Sequence, residues 1–200
     1  MLLAKFHKSC VQRNIRRAER ERLEYESGVS ERLLQRFYHL LSRSHRRHRI
    51  PPQPISWFRN IIQMMGRMAN IRVAFRQNQA VAALLTLAYK QTVVYKYGGS
   101  DERYHHMGGM PFLFWQTIQE AKQGGYAELD LGRSERDNSG LIKFKEHWGA
   151  RRSELEYWRY SGKRLGRIHR VEMKTAKRIF EFVPSAVLPM AGRLLYRHIG

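Results

Sequence analysis

Apolar residues recur along this chain with two different periods, and the change from one to the other divides it. Between residues 30 and 42, Leu33, Leu34, Phe37, Leu40 and Leu41 fall on one face at helical spacing, which predicts an amphipathic helix. The run RSHRRHR, Arg43 to Arg49, follows and is closed by Pro51 and Pro52. A second helix is predicted to start near Ser56, with Phe58, Ile61, Ile62 and Met65 on its apolar side and Gly66 near its end. The period then shortens. IRVAF, AVAALLTLAY and TVVYKYG are β-prone runs separated only by RQNQ and by Lys90-Gln91, which predicts an antiparallel meander. The middle run is apolar almost throughout, as expected of a central strand covered on both faces.

A Gly-rich stretch from Gly98 to Gly109 comes next. Pro111 is predicted to open a helix with Phe114, Trp115, Ile118 and Ala121 on one face, ended by Gly124-Gly125. In YAELDLG the residues Ala127, Leu129 and Leu131 alternate with Tyr126, Glu128 and Asp130, the mark of a strand. A short helix over residues 140–148 and a further strand, SELEYWRY, complete the ordered part. Residues 1–28 are rich in charge with little core pattern, and residues 161–200 are basic and expected to be helical in part. The order helix, helix, three-strand meander, helix, strand, helix, strand predicts an α/β (α+β) mixed sheet with helices on both faces.

Composition adds one constraint that the pattern does not. The 200 residues carry 37 Lys and Arg against 17 Asp and Glu, a formal charge of +20, with a pI near 10.7. Such a basic protein is drawn to polyanions: nucleic acid, an acidic membrane, or phosphorylated small molecules. Ten Tyr, nine Phe and four Trp supply a real core and exclude a disordered chain. The single Cys10 excludes an internal disulfide framework and is read as an incidental thiol in a reducing compartment. With no signal-like or membrane-spanning stretch read in the sequence, the expected location is cytoplasmic, with peripheral contact at the inner face of the membrane as the alternative.

With these residues in place, the order resembles the GNAT acyltransferase fold. More narrowly it is similar to the C-terminal GNAT-like half of the FemAB group and to its BioF2-like acetyltransferase relatives. YGGSD after the third meander strand, PFLFWQTIQEAKQGG, LDLGRS and GLIKFKEHWGA carry the resemblance, which covers about residues 33–160, with a weaker echo in LPMAGRLLYRHIG. It implies a single GNAT-like domain over residues 29–160, preceded by a basic extension (1–28) and followed by a basic, partly helical tail (161–200). It further implies an N-acyltransferase that passes an acyl group from acyl-CoA (acetyl-CoA) to an amine of a sugar or cell-envelope precursor. Transfer from aminoacyl-tRNA to a peptidoglycan precursor is a second implied reading. A non-catalytic protein that keeps the fold and binds RNA or an anionic membrane is a third. The usual CoA pyrophosphate signature, a basic residue followed by x-x-G-x-G/A, is absent in strict form, the equivalent loop reading GGSDERYHHMGGM. FemAB-type proteins commonly carry two such halves and this chain has room for one, so a truncated gene product, a single-domain relative or half of an oligomeric site are the expectations.

Acyl transfer needs a held donor, a deprotonated amine, and donors for the oxygen that becomes negative. The resemblance implies a phosphate-bearing donor where the third meander strand and the next strand splay apart. There Gly98, Gly99, Gly108 and Gly109 would allow close backbone approach, and Arg103, His105 and His106 would add charge. No metal is expected, since no Cys or carboxylate cluster accompanies the paired histidines. On a helical wheel Leu141, Phe144, Lys145 and Trp148 share one side, and a lysine there either snorkels or meets an anion. The phenylalanine–lysine pair is characteristic of the group, so the resemblance implies Lys145 as an electrostatic stabiliser. The plainer reading pairs it with Asp130 or Glu128. Asp130 is a candidate to take a proton through water, to orient the acceptor, or to fix Arg133 and its loop, with Glu128 the weaker alternative base. Tyr95 and Tyr97, two residues apart, are expected to share one face, either protonating a leaving thiolate or packing in the core. The run at residues 43–49, with Trp57 nearby, is read as a partner contact or a solvated connection. The segment from Pro184 to Gly200 is read as lying on a membrane or on the domain.

Overall fold

The computed structural model describes residues 2–158. The chain divides into two units, Met1–Ser44 with Ile55–Ala150 and His45–Pro54 with Arg151–Gly200. The first holds the sheet. In the second, Ile50 N–H closes a turn on the His45 carbonyl at 2.9 Å. The tail at residues 161–200, with its amphipathic end, lies outside the described residues.

Five strands lie in sequence order: β1 (Glu24–Gly28), β2 (Ala69–Arg76), β3 (Gln79–Tyr89), β4 (Thr92–Ser100) and β5 (Glu128–Asp130). The first four pair antiparallel and β5 joins β4 in parallel, so the sheet is mixed as the pattern predicts. The meander turns sit at the polar breaks. Gln77, Asn78 and Lys90 take positive φ there, the hand that matches the twist of a tight hairpin. Central β3 is buried from Ala80 to Thr86, which explains why its sequence has no polar alternation.

On one face, α2 (Glu31–Arg47) and α3 (Ile55–Met65) set Leu34, Phe37, Leu41 and Phe58 against Ile71, Val73 and Leu85. On the other, α1 (Arg13–Arg20) and α4 (Gly109–Gln123) cover Ala74, Ala82 and Leu84 with Ala18, Phe112 and Leu113. Here a charged group is buried: Arg72, only 5% exposed, donates to Glu120 at 2.5 and 2.9 Å and to Thr86 at 2.8 Å. Tyr25 donates to the other oxygen of Glu120 at 2.8 Å. The Glu120 carboxylate thereby ties α4 to β1 and β2, and Arg72 carries the link on to β3.

Three local expectations are corrected. Residues 1–28, read as an extension with little core pattern, contribute α1 and edge strand β1 and bury Val11, Ile15, Ala18 and Leu23. The helix expected to end near residue 42 runs to Arg47, because the Ser44 hydroxyl docks on Ser100 N–H at 2.9 Å and on its carbonyl at 3.2 Å. SELEYWRY has no strand over residues 153–158, and nothing pairs with β5 on its outer side among the described residues.

Candidate active site

The nine residues of β4 meet only three of β5: Thr92 pairs with Glu128, Val93 with Leu129 and Val94 with Asp130. From Tyr95 onward β4 has no strand paired on that side among the described residues, which leaves a gap in the sheet there. Gly132, at φ +73°, makes the turn that carries the chain away, and a Cβ there would lie 3.5 Å from the Tyr95 carbonyl. On its inner side β4 carries a bulge. Leu85 pairs with Tyr97 and Thr86 with Tyr95, leaving Lys96 as the extra residue. The extra residue reverses the alternation, so Tyr95 and Tyr97 face opposite sides of the sheet, contrary to their spacing in sequence. Tyr97 packs edge-on to Phe58 at 5.0 Å and accepts from the Trp57 indole at 3.3 Å. Trp57 is therefore engaged with the core. Tyr95 packs on Phe114 at 4.8 Å, and burial pushes its phenol up to about 12.

The apolar flank of the gap is assembled from several places: Tyr95 of β4, Met110 and Phe114 of α4, Leu131, Phe144 of α5 (Ser139–His147), Trp148, and Phe6 with Val11 and Ile15 from the N-terminal residues. Phe6 stands 5.3 Å from Trp148 and 6.0 Å from Trp115, ring to ring. This part of the site had no herald in the family motifs. The spacing of Val11, Ile15 and Ala18 (four, then three) was the available signal, hidden among arginines.

Lys145 lies on the inner side of α5. Its ammonium donates to the carbonyls of Gly132 at 2.5 Å and Arg133 at 3.1 Å, so it clasps the turn that opens the gap. Burial lowers its pKa, while the charge of Asp130 opposes that shift. Of the expected lysine–carboxylate pairing there is the field of Asp130, while the hydrogen bonds of the ammonium go to the two carbonyls. Asp130, exposed at the end of β5, accepts from Gly132 N–H at 2.7 Å and braces the same turn from the other side. Glu128 is exposed and sits two residues back, opposite Thr92.

The four glycines are close to the chain's own atoms. A Cβ on Gly99 would come within 2.6 Å of the Leu40 carbonyl and the Leu41 backbone, one on Gly108 within 2.4 Å of the Asn14 carbonyl, and one on Gly109 within 3.0 Å of Ala82. Gly98 makes room for the Tyr95 hydroxyl, which a Cβ would meet at 2.3 Å. Close packing accounts for these residues without a ligand. What stays available is backbone: α4 begins at Gly109, two residues before Pro111, and its first N–H groups have no partners within the helix. A hollow of about 230 Å³ opens there, lined by Ser100, Tyr104, His105, Met110 and Pro111. Ser100 Oγ and His105 Nε2 lie 2.8 Å apart beside it. Arg103 is turned to the almost fully buried Asp101, donating from Nη2 at 2.7 Å, and its hydrogen bonds hold that carboxyl below the usual carboxylate range. Arg43, the first residue of the basic run, also meets Asp101 and pairs with Glu102 at 2.8 Å.

The mixed sheet with helices on both faces has counterparts among known proteins. The acetyltransferase (GNAT) domain family matches residues 5–146, and the chain belongs to that family. Its members take acetyl-CoA as donor. No curated protein matches the chain. Among solved structures, FemX superposes with a TM-score of 0.66 at 14% identity, covering 74% of this chain and 55% of its own, so the chain spans about half of FemX. An aminoglycoside acetyltransferase from an uncultured soil metagenomic sample, solved with sisomicin, gives 0.55 at 14% identity over 70% of this chain and 97% of that one. The ribosomal-protein-S18-alanine N-acetyltransferase of Escherichia coli gives 0.53 at 19% identity, over 64% and 76%. At these identities the likeness is one of fold.

Proposed function

We propose that this chain is an N-acyltransferase which passes an acyl group from acyl-CoA to an amine of a sugar or cell-envelope precursor. The observation that carries the reading is the outer edge of β4 beyond Val94, unpaired among the described residues and beginning beside the Lys145-clasped turn. An exposed strand edge accepts an amide-bearing arm in extended form. The hollow at the start of α4, with its N–H groups, Ser100 and His105, suits a phosphate. The residues present therefore fit an acyl-CoA, which when bound supplies the activated acyl carbon.

In this reading Lys145 places positive charge near the acyl oxygen and holds Gly132 so that the gap stays open. Asp130 takes the proton of the attacking amine through water, with Glu128 behind it. Phe114, Phe144 and Tyr95 exclude water from the flank. Phenol burial favours a neutral Tyr95 hydroxyl well above physiological pH, which suits it to donate a hydrogen bond.

The test is calorimetric titration with acetyl-CoA at moderate salt, with ATP and pyrophosphate as matched anions. Selective binding of the CoA compound is expected. Among amines then screened, Lys145→Gln should lower kcat/KM roughly a hundredfold, the scale for losing one preorganised charge donor. Equal, weak binding of all three anions would sink the reading and leave general charge attraction. Aminoacyl-tRNA-dependent transfer to a peptidoglycan precursor is the second reading, favoured by the charge of +20 and the missing strict CoA signature.

A further inference from the structure

Three residues outside the proposed transfer site converge at the junction of the N-terminal segment and α5. His7 and Cys10 are three apart, at the cap and within the π-helical turn Lys8–Gln12, and His147 is the last residue of α5. One ligand-type atom from each lies within 4.8 Å of the other two. The surrounding backbone holds them in register. His7 N–H donates to the His147 carbonyl at 3.0 Å, and the two imidazoles stack at 4.2 Å with 36° between planes. The His7 carbonyl accepts from Val11 N–H at 3.0 Å, and Gln12 Nε2 donates to the Phe6 carbonyl at 2.8 Å.

We propose that His7, Cys10 and His147 form a zinc site that clips the N-terminal segment to α5. A thiolate and two imidazoles make a donor set suited to Zn(II), with water as the fourth ligand. Zn–S near 2.3 Å and Zn–N near 2.0–2.1 Å put the ligand atoms of one tetrahedron about 3.4–3.6 Å apart. The three must close by about 1 Å, and the exposed side chains of His7 and Cys10 have the freedom to do so. His7 Nδ1 accepts from Cys10 N–H at 3.2 Å. Binding through Nδ1 replaces that hydrogen bond, and binding through Nε2 requires Nδ1 to become the protonated nitrogen. Either way the N–H of the exposed Cys10 gives up the ring nitrogen and turns to water for its acceptor, and the ion crosslinks residues 7–10 to residue 147. Phe6 and Trp148, which adjoin the ligands in sequence, are already in contact. The clip therefore fastens a packed junction, independently of any acyl donor.

Cys10 is the single cysteine in the chain, so any thiolate-to-metal charge-transfer band reports it alone. The experiment titrates the chelator-treated full chain with Zn(II), following heat and Tm, and with Co(II), following absorption. One ion per chain, a raised Tm and a cobalt–thiolate band are expected. Cys10→Ser and His147→Gln should each weaken zinc binding by more than about tenfold, while the Tm of each variant in chelator stays near that of the parent. Of the nine histidines, the seven outside the cluster offer competing sites. Cobalt binding without the thiolate band, or zinc binding unchanged in both variants, would overturn the proposal.

Discussion

At the scale of single residues, Lys145 and Asp130 grip one turn from opposite sides through its backbone, whereas at the other end of β4 Asp101 is engaged chiefly by two arginine side chains. Asp101 is 1% exposed and accepts from Arg103 N–H at 3.1 Å, from the Arg103 guanidinium and from Arg43. The Arg103 hydrogen bonds lead the lowering of its pKa against the opposing effect of burial. A carboxyl depressed in the fold stabilises above its unfolded pKa, and that contribution is lost as pH falls through the folded value. Asp101→Asn should therefore cost about 2 kcal/mol at neutral pH, the scale of a charge-assisted hydrogen-bond set, or roughly 4–8 °C in Tm. The gap between parent and variant should narrow as pH drops below the ordinary carboxylate range. Thermal melts of both proteins from neutral to acid pH measure it, and a gap that stays constant would mean that Asn replaces the carboxylate's contacts without regard to charge.

Between elements, the meander was legible because its turns and its strands agree. Polar pairs break apolar runs at Gln77-Asn78 and Lys90, and the same residues take the backbone hand that a tight hairpin needs. The helix bearing Lys145 was legible from Leu141, Phe144 and Trp148, although Leu141 proves exposed and the buried edge is Phe144 to Trp148. The bulge at Lys96 was not legible, since one extra residue leaves no mark on composition and only the partner strand reveals it. Nor was β1, whose EYESG has one ring to bury and is a strand because β2 offers it an edge. The N-terminal segment is the element on which this difference can be weighed. Phe6 is 9% exposed between Trp115 and Trp148. Phe6→Ala should cost about 3 kcal/mol, at the low end for a buried phenylalanine, and lower Tm by several degrees. An unchanged Tm would mean that residues 2–12 lie loosely on the domain, and the flank of the gap would then be Phe114, Phe144 and Trp148 alone.

For the whole molecule, the excess of cations sets a background against which each local pairing acts. The formal charge is +20 on 200 residues. Several carboxylates are already engaged: Glu120 with Arg72, Asp101 with Arg43 and Arg103, Glu31 with Arg59, and Glu26 with Arg32. Uncompensated cations remain to repel one another in the folded state, and such self-repulsion opposes compaction. Raising ionic strength from about 0.01 M to about 0.15 M shortens the Debye length from about 30 Å to about 8 Å. Repulsion between distant exposed cations is screened by that change, while the partly buried Arg72–Glu120 contact is affected much less. Tm should consequently rise with sodium chloride across this range, the reverse of what a fold held chiefly by surface ion pairs would do. Phosphate at matched ionic strength should raise it further if a phosphate-sized hollow at the start of α4 binds the folded state selectively. Differential scanning calorimetry in the two salts separates the terms. A rise with chloride and no increment with phosphate leaves only screening, and a fall with chloride would place the exposed pairs, not the net charge, in control of stability.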